Sequence, residues 1–192
     1  RVGGTVMSLG SPVEVAAKAN AFQRLATVPL LVASDVEPGL GRLEGGVFAP
    51  SLMTAGSATV LPSNMAIGAA GDERLAYEAG RVTARESRAV GIQMAFAPVA
   101  DVNNNPSNPV INTRSFGEDP LAVARLTAAF VRGLQEHGVA ATAKHFLGHG
   151  DTDTDSHLAL PVVPSSAARL DSVELVPFRA AIEAGVLGVM TA

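Results

Sequence analysis

Five short, mostly apolar runs punctuate the chain: Val2 to Met7, Pro29 to Ser34, Ile92 to Ala100, Ala140 to Phe146 and Val186 to Thr191. They do not alternate apolar and polar positions, which predicts parallel strands buried on both faces. Amphipathic stretches at helical spacing lie between them. Pro12 to Ala26 follows Ser11, an N-cap with proline in the first turn. Glu73 to Ala89 follows Asp72 and carries Leu75, Ala79, Val82 and Glu86 at helical spacing, with Gly91 as its stop. Leu121 to Glu136 follows Asp119-Pro120 and ends before Gly138, and Ala167 to Ala184 ends at Gly185.

Strands alternating with helices predict a parallel sheet. A doubly wound sheet and a (β/α)8 barrel both satisfy that order. Long polar loops follow three of the strands, at Asp35 to Asp72, Asp101 to Asp119 and Gly148 to Ser166, whereas each helix joins the next strand by a few residues. That asymmetry places the chemistry at the C-terminal face of the strands, as in TIM barrels. No Gly-x-Gly-x-x-Gly follows any strand, which weighs against a dinucleotide fold. The expected fold class is therefore α/β, a (β/α)8 TIM-type barrel represented by five of its strands. The chain starts without methionine and stops within an apolar run, so residues 1–192 are expected to be part of a longer domain that continues beyond both ends.

Composition narrows the function. Hydrophobic residues make up 47% and charged residues 17%, enough to bury a core and too apolar for a disordered chain. The net charge is −4, with no cluster of lysine or arginine, so no nucleic-acid partner is expected. No stretch is long and apolar enough for a membrane span. There is no cysteine, which excludes disulfides, thiolate metal sites and cysteine nucleophiles but leaves cytoplasm and cell envelope equally open.

The densest polar segment runs from Lys144 to His157 and holds three of the four histidines. Lys144 and His145 interrupt an apolar strand, and a buried lysine needs a partner. They could form a structural ion pair with a satisfied core histidine, or face a site. A metal loop fits poorly. Asp151-x-Asp153-x-Asp155 begins like a calcium loop, but Ser156 and Val162 stand where glycine and glutamate are required. His145 and His149 have zinc-helix spacing, yet Gly148 and Gly150 break a helix there and no glutamate follows His145. No metal and no cofactor are expected. Asp155-x-His157 fits a different chemistry: an aspartate beside a histidine on a tight loop fixes the ring tautomer and raises the basicity of the other nitrogen, suiting proton transfer near neutral pH.

Several segments together resemble a known family. Lys144-His145-Phe146-Leu147-Gly148-His149-Gly150-Asp151-Thr152 through Asp155-Ser156-His157 is similar to the signature of glycoside hydrolase family 3, in its subgroup of bacterial β-N-acetylglucosaminidases, with Leu147 where proline is usual. Phe96 to Val102 resembles the third-strand motif and Asn112 to Pro120 the loop after it. Ser34 to Gly39 resembles the Asp-Gln-Glu-Gly-Gly segment, with departures at Val36 and Pro38.

The resemblance implies that His157 is the acid/base, oriented by Asp155, and that Asp35, Arg114, Lys144 and His145 hold sugar hydroxyls. Arg42 would join them, although its spacing from Asp35 is one residue short. The nucleophile would be an aspartate after a later strand. The implied reaction is retaining hydrolysis of terminal β-linked N-acetylglucosamine from peptidoglycan or chitin fragments, with carbohydrate as the partner. A family 3 β-glucosidase and a noncatalytic sugar-binding relic are the alternatives, and Asp155-Ser156-His157 argues against the first. Outside that set, Asp101 either serves the site or caps the Asn103-Asn104-Asn105 turn. Glu37 and Glu118 either serve the site or brace loops, and Glu86 reads as a structural pair.

Overall fold

The computed structural model describes residues 2–8, 10–37, 39–41, 58–155, 158–163 and 165–191. The five expected strands are present, as β1 (Gly4–Met7), β2 (Leu31–Ser34), β3 (Met94–Ala95), β4 (Ala140–Phe146) and β5 (Gly188–Thr191). All pair in parallel, and their spatial order is their chain order, β1-β2-β3-β4-β5. A doubly wound sheet reverses direction at a switch point, whereas a barrel adds each strand beside the last. The sheet is an arc of a TIM-type barrel.

The caps read from sequence build the helices. In α1 (Pro12–Leu25) Ser11 and Glu14 form a reciprocal capping box, with the Ser11 amide 2.8 Å from Glu14 Oε2. Asp72 caps α3 (Glu73–Ala89), and Asp119 caps α4 (Pro120–Gln135) by accepting from Leu121 and Ala122 amides at 2.8 and 2.9 Å. Helix α2 (Asn64–Ala70) falls where a continuous loop was expected; its signals are Ser63 as N-cap and Gly71 at positive φ. Ala167 to Ala184 was expected as one helix. It comprises α5 (Ala167–Arg169), a π-helical turn (Leu170–Glu174) and α6 (Leu175–Glu183), and the turn carries buried Glu174.

Small residues set the helix spacing. Ala76, Ala79, Gly80, Thr83 and Ala84 of α3 are buried, as are Ala129, Phe130 and Gly133 of α4. A Cβ on Gly133 would collide with the carbonyl oxygen of Tyr77, so only glycine permits this approach. Phe130, Leu134, Val32, Ile92 and Phe178 fill the shared core.

Two expectations need correction. The runs were expected to be buried on both faces, but in β1 Val6 is exposed while Met7 is buried, and β5 alternates partial and full exposure. These are the two end strands of the described sheet, each paired with a single neighbour among the described residues. The run Ile92 to Ala100 was expected as one strand, yet its regular ladder is confined to Met94–Ala95. Pro98 has no N–H to give. Past Ala95 the segment instead receives β4: the Thr142 and Lys144 amides donate to Ala97 and Pro98 carbonyls at 2.8 and 3.1 Å. This irregular stretch delivers Asp101 to the rim beside β4.

Candidate active site

The C-terminal ends of β2, β3 and β4 converge on one network of charge. Lys144 sits near the end of β4 with its side chain 3% exposed. Its Nζ lies 2.6 Å from Asp35 Oδ1, just past β2, and 2.8 Å from Glu37 Oε2. The other Glu37 oxygen accepts from Arg114 Nε at 2.6 Å, so one buried carboxylate bridges two cations. Burial alone would push the Glu37 carboxyl upward, but Lys144 and Arg114 outweigh it and hold the pKa at about 2. Arg114 ends a 3₁₀ turn (Asn112–Arg114), fixed by its carbonyl accepting from Asn64 Nδ2 at 2.7 Å and by its Nη1 donating to Val110 O at 3.4 Å. Asp35 is the accessible carboxylate of the group, with its side chain 43% exposed, while Arg114 retains 14%.

A second carboxylate organises the histidines. Asp101, whose side chain is fully buried, accepts from the backbone amides of His145, at 3.2 Å, and His149, at 2.6 Å. His145 Nδ1 lies 2.7 Å from Asp101 Oδ2. The two imidazoles meet edge to face, centroids 6.0 Å apart. His149 is buried, its Nδ1 against the Thr152 hydroxyl, and burial depresses its pKa, so the ring is neutral at physiological pH. The negative charges of Asp101 and Asp155 work against that depression. Asn108 ties the loop down, donating to the carbonyls of His149 and Thr152 at 2.7 and 2.9 Å. Gly150 packs so closely on the Val102 carbonyl that a Cβ there would overlap it. The Asp155 carbonyl accepts from the Leu158 and Ala159 amides, both at 3.0 Å, turning the chain back after the loop.

Of the residues singled out from sequence, Asp35, Arg114, Lys144 and His145 share one rim of the barrel, with Asp155 on the adjoining loop. His157 and Arg42 lie outside the described residues. Asp101 does not cap the asparagine turn: the Asn103 and Asn104 amides donate to the Gly117 and Val102 carbonyls, both at 2.9 Å, while the Asp101 carboxylate takes the His145 and His149 amides. Glu118 is exposed. Glu86 is a structural partner, accepting from the Thr59 amide and hydroxyl at 3.1 and 2.5 Å. Two anchoring residues, Glu37 and Asp101, were left undecided by the sequence. The available signal was position: an acid two residues past Asp35, and an acid ending an apolar run.

Known proteins match this chain along nearly all of it. A β-N-acetylglucosaminidase/β-glucosidase of Cellulomonas fimi is 40% identical over 98% of the chain and 32% of its own length. A β-hexosaminidase of Nitrosospira multiformis is 37% identical over all of the chain and 54% of its own length. The chain thus spans about a third to a half of the curated relatives it matches. Among solved structures, a family 3 β-N-acetylglucosaminidase from Paenibacillus sp. str. FPU-7 superposes with a TM-score of 0.87 at 52% identity, covering all of the chain and 36% of that protein. Residues 6–192 match the glycosyl hydrolase family 3 N terminal domain. The chain belongs to glycosyl hydrolase family 3.

Proposed function

We propose that the full-length protein is a retaining glycosidase that removes terminal β-linked N-acetylglucosamine. The observation that carries this reading is the joined network at the strand ends, in which Asp35, Arg114 and His145 keep exposed surface around the buried Lys144–Glu37 pair. Sugar hydroxyls both donate and accept. A rim that mixes a carboxylate, a guanidinium, an ammonium and an imidazole offers both polarities at fixed positions. Asp35, Arg114, Lys144 and His145 hold the terminal sugar in this reading, with Arg42 as a further contact. In this reading Asp155 and His157 are the proton-transfer pair. His157 protonates the departing oxygen and then removes a proton from the incoming water, while Asp155 keeps its ring in the required tautomer. The nucleophilic carboxylate follows a later strand of the barrel, about 5 Å from the acid/base group, and attacks the anomeric carbon to form the covalent intermediate. No cofactor enters this scheme.

Assays of the full-length protein with an aryl N-acetyl-β-glucosaminide and the matching β-glucoside test the sugar. The Cellulomonas relative is named for both activities, so both substrates belong in the comparison. Preference for the glucoside would overturn the assignment. His157→Ala is expected to lower kcat by about 10²–10⁴ on a natural leaving group, and by less on an activated aryl group, which needs little protonation. Equal losses on the two would remove His157 from the acid/base role.

A further inference from the structure

We propose that Asp101 is a positioning residue that fixes His145 in its Nδ1–H tautomer, so that Nε2 meets the substrate as a hydrogen-bond acceptor. The inference rests on the glycosidase reading for its ligand, a neutral sugar hydroxyl, and on geometry alone for the tautomer. Asp101 is buried between the β3 segment and the start of the loop after β4. Oδ1 accepts from His149 N at 2.6 Å, and both oxygens lie 3.2 Å from His145 N. A carboxylate engaged as acceptor on both oxygens cannot also supply a proton to the ring, so the nitrogen facing Oδ2 at 2.7 Å must bring its own. In a neutral imidazole the other nitrogen then carries a lone pair.

The ring has little freedom to turn away. Its own backbone amide is bonded to the same carboxylate, His149 stands edge-on to it, and its side chain is 14% exposed. The consequence is a matter of polarity. Lys144 and Arg114 can only donate, and two donors alone would suit an anion. Asp35 and His145 Nε2 add acceptors on the same rim, which matches groups that must both give and take hydrogen bonds, as the hydroxyls of an uncharged sugar ring do.

The test reads the tautomer directly. Long-range ¹⁵N–¹H spectra of the labelled protein at neutral pH should show His145 with Nδ1 protonated and Nε2 bare. In Asp101→Asn the amide oxygen can stay on the two backbone amides, turning its NH₂ toward Nδ1, so the ring should invert to Nε2–H. The same variant of the full-length enzyme should raise KM for the aryl N-acetylglucosaminide about tenfold, the equivalent of one hydrogen bond, with a smaller change in kcat. An Nε2–H tautomer or an imidazolium in the wild type overturns the proposal, as does an unchanged tautomer in Asp101→Asn. If that variant fails to fold, the wild-type spectrum decides alone. Titration with N-acetylglucosamine separates the two readings: inversion as expected with no response at His145 upholds the tautomer and sinks the sugar-binding role.

Discussion

Replacing Glu37 by glutamine removes one charge and almost no volume, which makes it a clean probe of the buried network. The side chain is fully buried, with Arg114 Nε at 2.6 Å and Lys144 Nζ at 2.8 Å. A carboxyl held at about 2 instead of the ordinary 4.5 is favoured in its charged form by about 3 kcal/mol. Glutamine forfeits that and leaves two cations facing a neutral amide. Lys144 keeps Asp35 at 2.6 Å, but Asp35 is 43% exposed and screened by solvent. Breaking a buried pair from one side costs about 3–5 kcal/mol, and Glu37→Gln should lie at the lower end. The pH dependence has a definite sign. Because folding lowers the pKa, the stabilisation is complete above the unfolded value of about 4.5 and is lost as pH falls toward 2. Urea midpoints of wild type and Glu37→Gln should therefore differ fully at pH 7 and converge on acidification toward pH 3. Equal midpoints at pH 7, or a gap that stays constant down to pH 3, would refute the assignment of Glu37 as the anion that holds Lys144 and Arg114.

Gly133→Ala should lower the thermal midpoint despite alanine's better helix propensity, because its Cβ meets the Tyr77 carbonyl where α3 and α4 cross; an unchanged or raised midpoint would show that the helices separate at no cost. Glu174 behaves oppositely to Glu37. Burial raises its pKa against the smaller opposing effects of Asn104 and Arg169, so its charged form is disfavoured in the fold and it costs stability as pH rises above the ordinary carboxylate range. Glu174→Gln should accordingly be tolerated at pH 4 and more stable than wild type at pH 8, measured by urea midpoints at both; a deficit at pH 8 would show that the carboxylate is needed as an anion.

What the sequence revealed follows from the range of the interactions concerned. Caps are local: Ser11 with Glu14, and Asp119 with Leu121 and Ala122, act within three residues, and their helices begin where the sequence placed them. Strand positions also follow from local hydrophobicity, and their parallel pairing follows from the helices between them. Burial is not local. Val6 and Met7 are both apolar, and which one faces the core depends on neighbours contributed by other elements. The irregular end of β3 depends on Pro98 meeting β4, and the π turn on Glu174 packing beside Gly148 of the distant loop.

The site divides along the same line. Residues expected to touch substrate could be recognised because motif segments display them: Asp35 near Glu37, Arg114 after Asn112, and Lys144 beside His145. The residues that hold them in place could not, since an anchor is defined by its partner. Glu37 meets Arg114 across 77 positions of sequence, and Asp101 meets His145 across 44. In sequence each is only an acid near the end of an apolar run, and such an acid is equally suited to cap a turn. The fold resolves the ambiguity by leaving neither carboxylate any access to water. A buried acid must find cations or N–H groups, and around Glu37 and Asp101 those are the groups of the site itself. The exposed face of the network is then free to vary its partner, while the buried face fixes the donors and acceptors that partner will meet.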